Sequence, residues 1–253
     1  MKLVICEKPS VAKAVASALG VTSRADGCFE GNGLIVSWCV GHLVSPMDAA
    51  GYDPGYKKWK YDDLPILPEP FRYVPAKDKE DAFQNLKRLM DWEDVTELVN
   101  ACDAGREGEL IFRLAYEMAG CQKPFSRLWI SSMEDAAIRE GFQNLRPGAE
   151  YDPLYQSALC RQKADWLIGI NATRLFSVLY HRTLNVGRVQ TPTLAMLVDR
   201  DWKITSFKKE KYHHVRLALD GAEAVSEKIS AQEEAEACGW PVPIVRRLHL
   251  CHP

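Results

Sequence analysis

Two short apolar runs in this chain each close on carboxylates and lead directly into a helix start, which constrains the fold more than anything else in its 253 residues. The first is Lys2-Leu3-Val4-Ile5-Cys6-Glu7-Lys8-Pro9-Ser10. The second is Val99-Asn100-Ala101-Cys102-Asp103-Ala104-Gly105-Arg106-Glu107-Gly108-Glu109. Runs of this length bounded by helix signals read as buried strands of a parallel sheet, and ligands of such sheets gather beyond the carboxyl ends of the strands. Glu7, Asp103 and Glu107 are therefore predicted to converge. Hard cations such as Mg²⁺ take oxygen ligands and keep several waters, so two or three carboxylates on adjacent strand ends suffice to hold one against a phosphate. Gly105 and Gly108 let backbone approach a ligand closely, and Arg106 adds a planar donor suited to phosphate. A plainer reading is two ordinary strand-to-helix turns whose acids sit at helix N-termini, favoured by the macrodipole. Two clusters together, with Lys8 and Arg106 interleaved, favour the metal site.

The remaining pattern is that of an α/β fold. Ser10 is expected to cap an Ala-rich helix ending at Gly20, and residues 34–40 read as a buried strand. Residues 45–75, rich in Pro, Gly and Tyr, read as a long ordered loop over a sheet edge, with Tyr56, Trp59 and Tyr61 packed beneath it or stacking on bases. Residues 78–91 have helical spacing at Phe83, Leu86 and Met90. Residues 95–102 read as a strand, 109–118 as a helix and 128–131 as a strand. Ser131-Ser132-Met133-Glu134 reads as the cap of a helix reaching Leu145. Arg146-Pro147-Gly148 breaks it, and a domain boundary is placed there. Residues 154–179 then form a long helix or helix pair, with Arg161 and Asp165 four apart on one face. Trp129, Trp166 and Phe176 are read as core.

Charge tempers the expectation of an anionic ligand. The net charge is −2, yet residues 151–210 carry nine Lys and Arg against five Asp and Glu. Phosphate contacts need only a local stripe. Of the eight cysteines, Cys6, Cys39 and Cys102 end apolar runs and read as small buried residues, and no Cys-x-x-Cys pair indicates zinc. No apolar run approaches a membrane span, and the start does not resemble a signal peptide, so a cytoplasmic location is expected. No Gly-x-x-x-x-Gly-Lys-Ser/Thr loop for a nucleoside triphosphate is present. Residues 237–253 change character abruptly, with paired prolines and no acid. They read as a non-native or disordered tail, or alternatively as an edge strand over 242–250.

Strand-Glu7-Lys8-Pro9-Ser10 followed by Asp103-x-x-Arg106-Glu107-Gly108-Glu109 resembles the Toprim domain of type IA DNA topoisomerases, most closely the bacterial topoisomerase III branch. Val40-Gly41-His42-Leu43-Val44, Arg161-Gln162-Lys163-Ala164-Asp165 with Asn171-Ala172-Thr173-Arg174, and Val186-Gly187-Arg188-Val189-Gln190-Thr191-Pro192 match in the same order. The resemblance implies a Toprim domain over residues 1–147, with a mostly parallel sheet flanked by helices. It further implies a mainly helical, partial single-strand DNA-binding domain over 148–236 and a tail over 237–253. It implies Mg²⁺ held by Glu7, Asp103 and Glu107, with Glu7 as a general acid or base at the leaving 3′ oxygen. Lys8 would neutralise the scissile phosphate. DNA contacts are expected from Arg161, Asp165, Asn171, Thr173, Arg174, Arg188, Gln190 and Thr191. The family often has Asp-x-Asp-x-Glu, and here the middle position is Gly105, which supplies no ligand.

In that family a tyrosine in a Tyr-Pro-Arg-Thr motif attacks a phosphodiester and conserves its energy in a phosphotyrosyl bond. This sequence contains no such motif. Tyr180-His181-Arg182-Thr183 is superficially similar but precedes Gly187-Arg188-Val189-Gln190, the wrong order. The chain is therefore expected to be the front part of a topoisomerase, inactive in cleavage alone, whose partners are single-stranded DNA and the missing carboxy-terminal part. A non-catalytic single-strand-binding module, or another Toprim nuclease or primase, are the other readings.

Overall fold

The structure is a computed structural model that describes residues 1–209, 211–219 and 222–230. Residues 1–191 make one compact unit and 192–253 a second. In chain order the first unit contains β1 (Lys2–Cys6), α1 (Pro9–Ala18), β2 (Ser23–Ala25), β3 (Cys28–Gly31), β4 (Leu34–Trp38), β5 (Val44–Pro46), α2 (Ala49–Tyr52), β6 (Tyr73–Pro75), α3 (Glu80–Asp91) and β7 (Glu97–Ala101). These are followed by α4 (Arg106–Ala119), β8 (Phe125–Arg127), α5 (Asp135–Gln143), β9 (Arg146–Pro147) and α6 (Asp152–Leu179). Helix α7 (Gln190–Thr205) leads into the second unit, where β10 (Arg216–Leu219) and β11 (Ala222–Val225) pair antiparallel. The sequence reading did not anticipate that hairpin.

One seven-stranded sheet organises the first unit, in the order β2-β3-β4-β1-β7-β8-β9. Its four central strands run parallel, and antiparallel strands finish both edges. Successive side chains of a strand face opposite ways, and both faces here are apolar. Leu3, Ile5, Ile35 and Leu98 meet Phe83, Leu86, Leu110 and Phe112 of α3 and α4 on one face. Val4, Cys6, Val36 and Val99 meet Ala12, Val15 and Ile138 of α1 and α5 on the other. Each such fully buried side chain contributes roughly 1.5–3 kcal/mol of hydrophobic stabilisation. The predicted α/β class with a mostly parallel sheet is what the fold shows. Helix α6 then packs along α4, where the Tyr155 hydroxyl donates to Glu117 at 2.9 Å and Arg113 bonds Asp152 at 2.6 Å.

Several local expectations are corrected. Lys8, in extended conformation, is the N-cap of α1, and Pro9 takes the first helical position that its ring favours, leaving Ser10 inside the helix. The strand expected over 128–131 lies at β8 instead. There the Leu128 amide still donates to the Asn100 carbonyl at 2.9 Å, but the Cys102 amide turns to the Asn100 side chain and the Cys102 and Leu128 carbonyls accept from the Arg127 guanidinium. Glu134, not Ser131, caps α5, and the Ser132 hydroxyl accepts the Glu134 amide. Arg146-Pro147 forms the edge strand β9 besides ending the helix. The 45–75 segment runs against α6, not over a sheet edge, because Asn171 bonds both backbone groups of Ile66 and Arg174 bonds the carbonyl of Tyr56. Trp129 and Phe176, read as core, are 42% and 41% exposed; Trp129 stacks on Tyr151. Trp166 is partly buried, against Tyr52 and Phe71. The tail or edge strand expected within 237–253 falls outside the described residues.

A charged cluster lies at the centre of this architecture. Glu109 and Arg127 are both fully buried and pair at 3.1 Å, and Glu109 also accepts from Arg113 and from the Asn100 side-chain amide, each at 2.9 Å. Burial pulls the Arg127 guanidinium below its ordinary pKa, with Glu109 opposing that shift. Removing one member of a buried pair strands the other charge. Glu109→Ala is therefore expected to lower stability by about 3–5 kcal/mol in urea denaturation; an unchanged midpoint would show that the pair is not structural.

Candidate metal and nucleic-acid site

Register brings the two acidic motifs together. β1 and β7 pair in parallel with Cys6 opposite Ala101, so Glu7 and Asp103 emerge from neighbouring strands at the same sheet edge. Gly105 is the N-cap of α4, which places Glu107 in the first helical turn, where the macrodipole favours a carboxylate. On the other side of β1, the segment after β4 is stitched to the same edge. The Cys39 amide donates to the Cys6 carbonyl at 2.7 Å, and the Gly41 amide to the Glu7 carbonyl at 3.2 Å. Lys79 fixes this segment from outside, donating to the carbonyls of Val40 at 2.7 Å and His42 at 3.0 Å.

The consequence is a continuous run of ion pairs. His42 Nε2 lies 3.4 Å from one Glu107 oxygen, and Arg161 Nη1 lies 3.2 Å from the other. Arg161 Nε approaches Asp165 at 3.8 Å, and the second Asp165 oxygen accepts from Arg188 Nε at 2.6 Å. Glu7 pairs with Lys8 at 3.4 Å. Thus Glu107 of α4, Arg161 and Asp165 of α6, and Arg188 of the turn before α7 meet in one run, of which the sequence spacing indicated only the shared helix face of Arg161 and Asp165. His42 and Lys79 had been given no role. The Val40-Gly41-His42-Leu43-Val44 motif was a signal for the first; nothing in the sequence marked the second.

The donor set suits a hard cation, being carboxylate oxygens at a solvent-accessible strand edge. Among the described residues, however, no three His, Cys, Asp or Glu side chains close around a common point that would hold a metal ion. Glu107 is engaged by Arg161 and His42, so the three predicted ligands do not make a ready cage in this arrangement. The thiols at the same strand ends offer no alternative. Burial raises the Cys6 pKa, and a hydrogen bond with Cys39, then burial, raises that of Cys102, leaving both protonated.

Other expected DNA contacts have internal partners. The Asn171 amide accepts from the Ile66 amide at 2.6 Å and donates to its carbonyl at 3.0 Å. Thr173 Oγ1 accepts from the Val186 amide at 2.9 Å. Arg174 is 4% exposed, donates to the Tyr56 carbonyl at 2.8 Å and lies over the Trp59 ring. These three residues pin the 56–66 segment and the 186 turn to α6, which aims Arg188 at Asp165. Thr191 Oγ1 accepts from the Gly187 amide at 3.0 Å, and α7 begins at Gln190, two residues before Pro192. Gln190 is exposed and donates to the Asn185 carbonyl at 3.2 Å. Tyr180 follows the end of α6, and at a helical rise of ~1.5 Å per residue it stands about 28 Å along the axis from Arg161.

Comparison with known proteins agrees with these motifs. The Toprim domain family matches residues 2–133, and a family described as DNA topoisomerase matches residues 149–239. DNA topoisomerase 3 of Bacillus subtilis is 46% identical over 219 residues, covering 87% of this chain and 30% of the relative. The Bacillus licheniformis protein of the same description gives the same identity and coverage. The chain thus spans about 30% of the length of these relatives. Full-length topoisomerase I from Thermotoga maritima superposes with a TM-score of 0.62 at 25% identity, over 93% of this chain and 36% of that one.

Two glycines flanking Arg106 and Glu107 lead to opposite expectations. A Cβ on Gly108 would lie 2.1 Å from the Asp103 carbonyl oxygen, a backbone atom that cannot swing aside. Gly108→Ala should displace the Asp103 turn, cost about 1–3 kcal/mol and weaken Mg²⁺ binding measured by calorimetry. Gly105 has extended backbone and open space around it. Gly105→Asp should leave the melting temperature unchanged and tighten Mg²⁺ binding roughly tenfold by adding a carboxylate; equal affinity would show that residue 105 does not face the cation.

Proposed function

Because the chain belongs to the Toprim-containing DNA topoisomerases, we propose that it is the cation- and phosphate-handling part of an ATP-independent type IA enzyme of the topoisomerase III branch. Its substrate in this reading is single-stranded DNA. One observation carries the proposal: Glu107 of the Toprim region and Arg161 of the topoisomerase region are 3.2 Å apart. An acidic strand edge and a basic helix face therefore share one site, as joint handling of a cation and a phosphodiester requires.

In this reading Arg161 and Arg188 grip the DNA backbone, and Asp165, bonded to Arg188 and 3.8 Å from Arg161, orients them. Lys8, on the rim beside Glu7, meets the charge of the scissile phosphate. Glu7, only 12% exposed in its side chain, exchanges a proton with the 3′ oxygen that leaves and later returns. Glu7, Asp103 and Glu107 are the residues that would hold Mg²⁺, which when bound supplies charge neutralisation at the phosphate. Asn171, Thr173 and Arg174 act indirectly, through the segments they anchor. Gln190 and Thr191 lie where the strand would pass next. Tyr180 is too far along α6 to attack a phosphate at this edge, so the chain by itself is proposed to bind without cleaving. No described helix is long and apolar enough to cross a membrane, and a cytoplasmic setting is part of the proposal.

An end-labelled single-stranded oligonucleotide mixed with the chain and Mg²⁺, run on matched native and denaturing gels, tests this. The expected result is a native shift, weakened by salt and by Arg161→Ala or Arg188→Ala, with no covalent adduct. Absence of any shift would overturn the reading. An adduct lost in Tyr180→Phe would overturn the claim that the chain cannot cleave.

A further inference from the structure

Resting on that reading, we propose that Arg161 and a divalent cation compete for Glu107, so that cation and single-stranded DNA bind this site with positive coupling. Arg161, Arg188, Glu107 and Asp165 are two cations and two anions in one run, with contacts of 3.2, 3.8 and 2.6 Å. Their charges cancel. The guanidinium groups that should meet phosphate are thus neutralised by the protein's own carboxylates, one of which is also wanted by the cation. His42, on the second Glu107 oxygen, keeps that carboxylate turned toward Arg161.

The geometry makes the exchange accessible. The Arg161 side chain is 36% exposed and that of Glu107 52%, so solvent, ion and strand all reach the pair. A cation on Glu107 removes the shorter of the two Arg161 ion-pair contacts. The guanidinium then keeps only the 3.8 Å approach to Asp165, whose other oxygen is already bonded to Arg188. Arg161 stays aimed from α6 with its Nη1 edge free for a phosphate. In the opposite order, a phosphate that draws Arg161 away leaves Glu107 ready for the cation. Binding linkage requires the two effects to be equal. Exposed ion pairs are weak, so the coupling factor is expected to be roughly two- to fivefold.

The test uses the full chain at constant ionic strength, with Mg²⁺ titrated calorimetrically with and without saturating oligo-dT, and labelled oligo-dT followed by anisotropy with and without Mg²⁺. In the unmodified protein each ligand should tighten the other by the same factor. Glu107→Gln should bind oligo-dT more tightly without Mg²⁺ and become indifferent to the ion. Arg161→Gln should bind Mg²⁺ more tightly without DNA and lose the coupling. Both variants are read as gains of affinity, which a misfolded chain does not produce. Independent binding of the two ligands, or no gain in either variant, overturns the competition and leaves the functional reading standing. An unmodified chain that binds neither ligand overturns both.

Discussion

The Arg127 guanidinium holds this structure's working edge together. It is fully buried, pairs with Glu109 of α4, and donates to the carbonyls of Asn100, Cys102, Asp103 and Leu128. One side chain thus ties the exit of β7, the exit of β8 and the first turns of α4. A charge so buried is costly unless it is paired and fully bonded, and here the surrounding carbonyls are backbone groups that also need donors. Pairing the charge with Glu109 while giving those carbonyls a donor fixes the turn from which Asp103 and Glu107 project.

From that anchored turn the site is built outward by progressively weaker interactions. Glu107 is half-exposed, and its partners arrive from two directions: His42 from a loop fastened by Lys79, and Arg161 from the middle of α6, where Asp165 links it on to Arg188. Buried contacts set position, and exposed ion pairs, worth under ~1 kcal/mol each, set a balance that ligands can tip.

Much of this was legible in the sequence because it depends on short-range order. The β1 and β7 runs, the helix starts after them and the length of α6 follow from apolar spacing and from residues such as Pro9 and Gly20. Errors arose where a distant group changed the local outcome. The strand expected at 128–131 lies at β8, beyond which the Cys102 and Leu128 carbonyls accept from the Arg127 side chain. The 45–75 segment was placed on a sheet edge because nothing local reveals that Asn171 and Arg174, more than a hundred residues later, hold it to α6.

The sequence by itself determined the central strands β1, β4 and β7, the two carboxylate-bearing strand ends and the motifs shared with topoisomerases, since local spacing and residue chemistry carry that information. Only the tertiary structure decided which charges meet. Glu107 with His42 and Arg161, and Asp165 with Arg161 and Arg188, are pairings across loops and helices far apart in the chain. Ion pairing depends on distance and shared exposure, neither of which is written in residue order. For the same reason Asn171, Thr173 and Arg174, which look like ligand contacts in a motif, turn inward to hold the segments that carry the site.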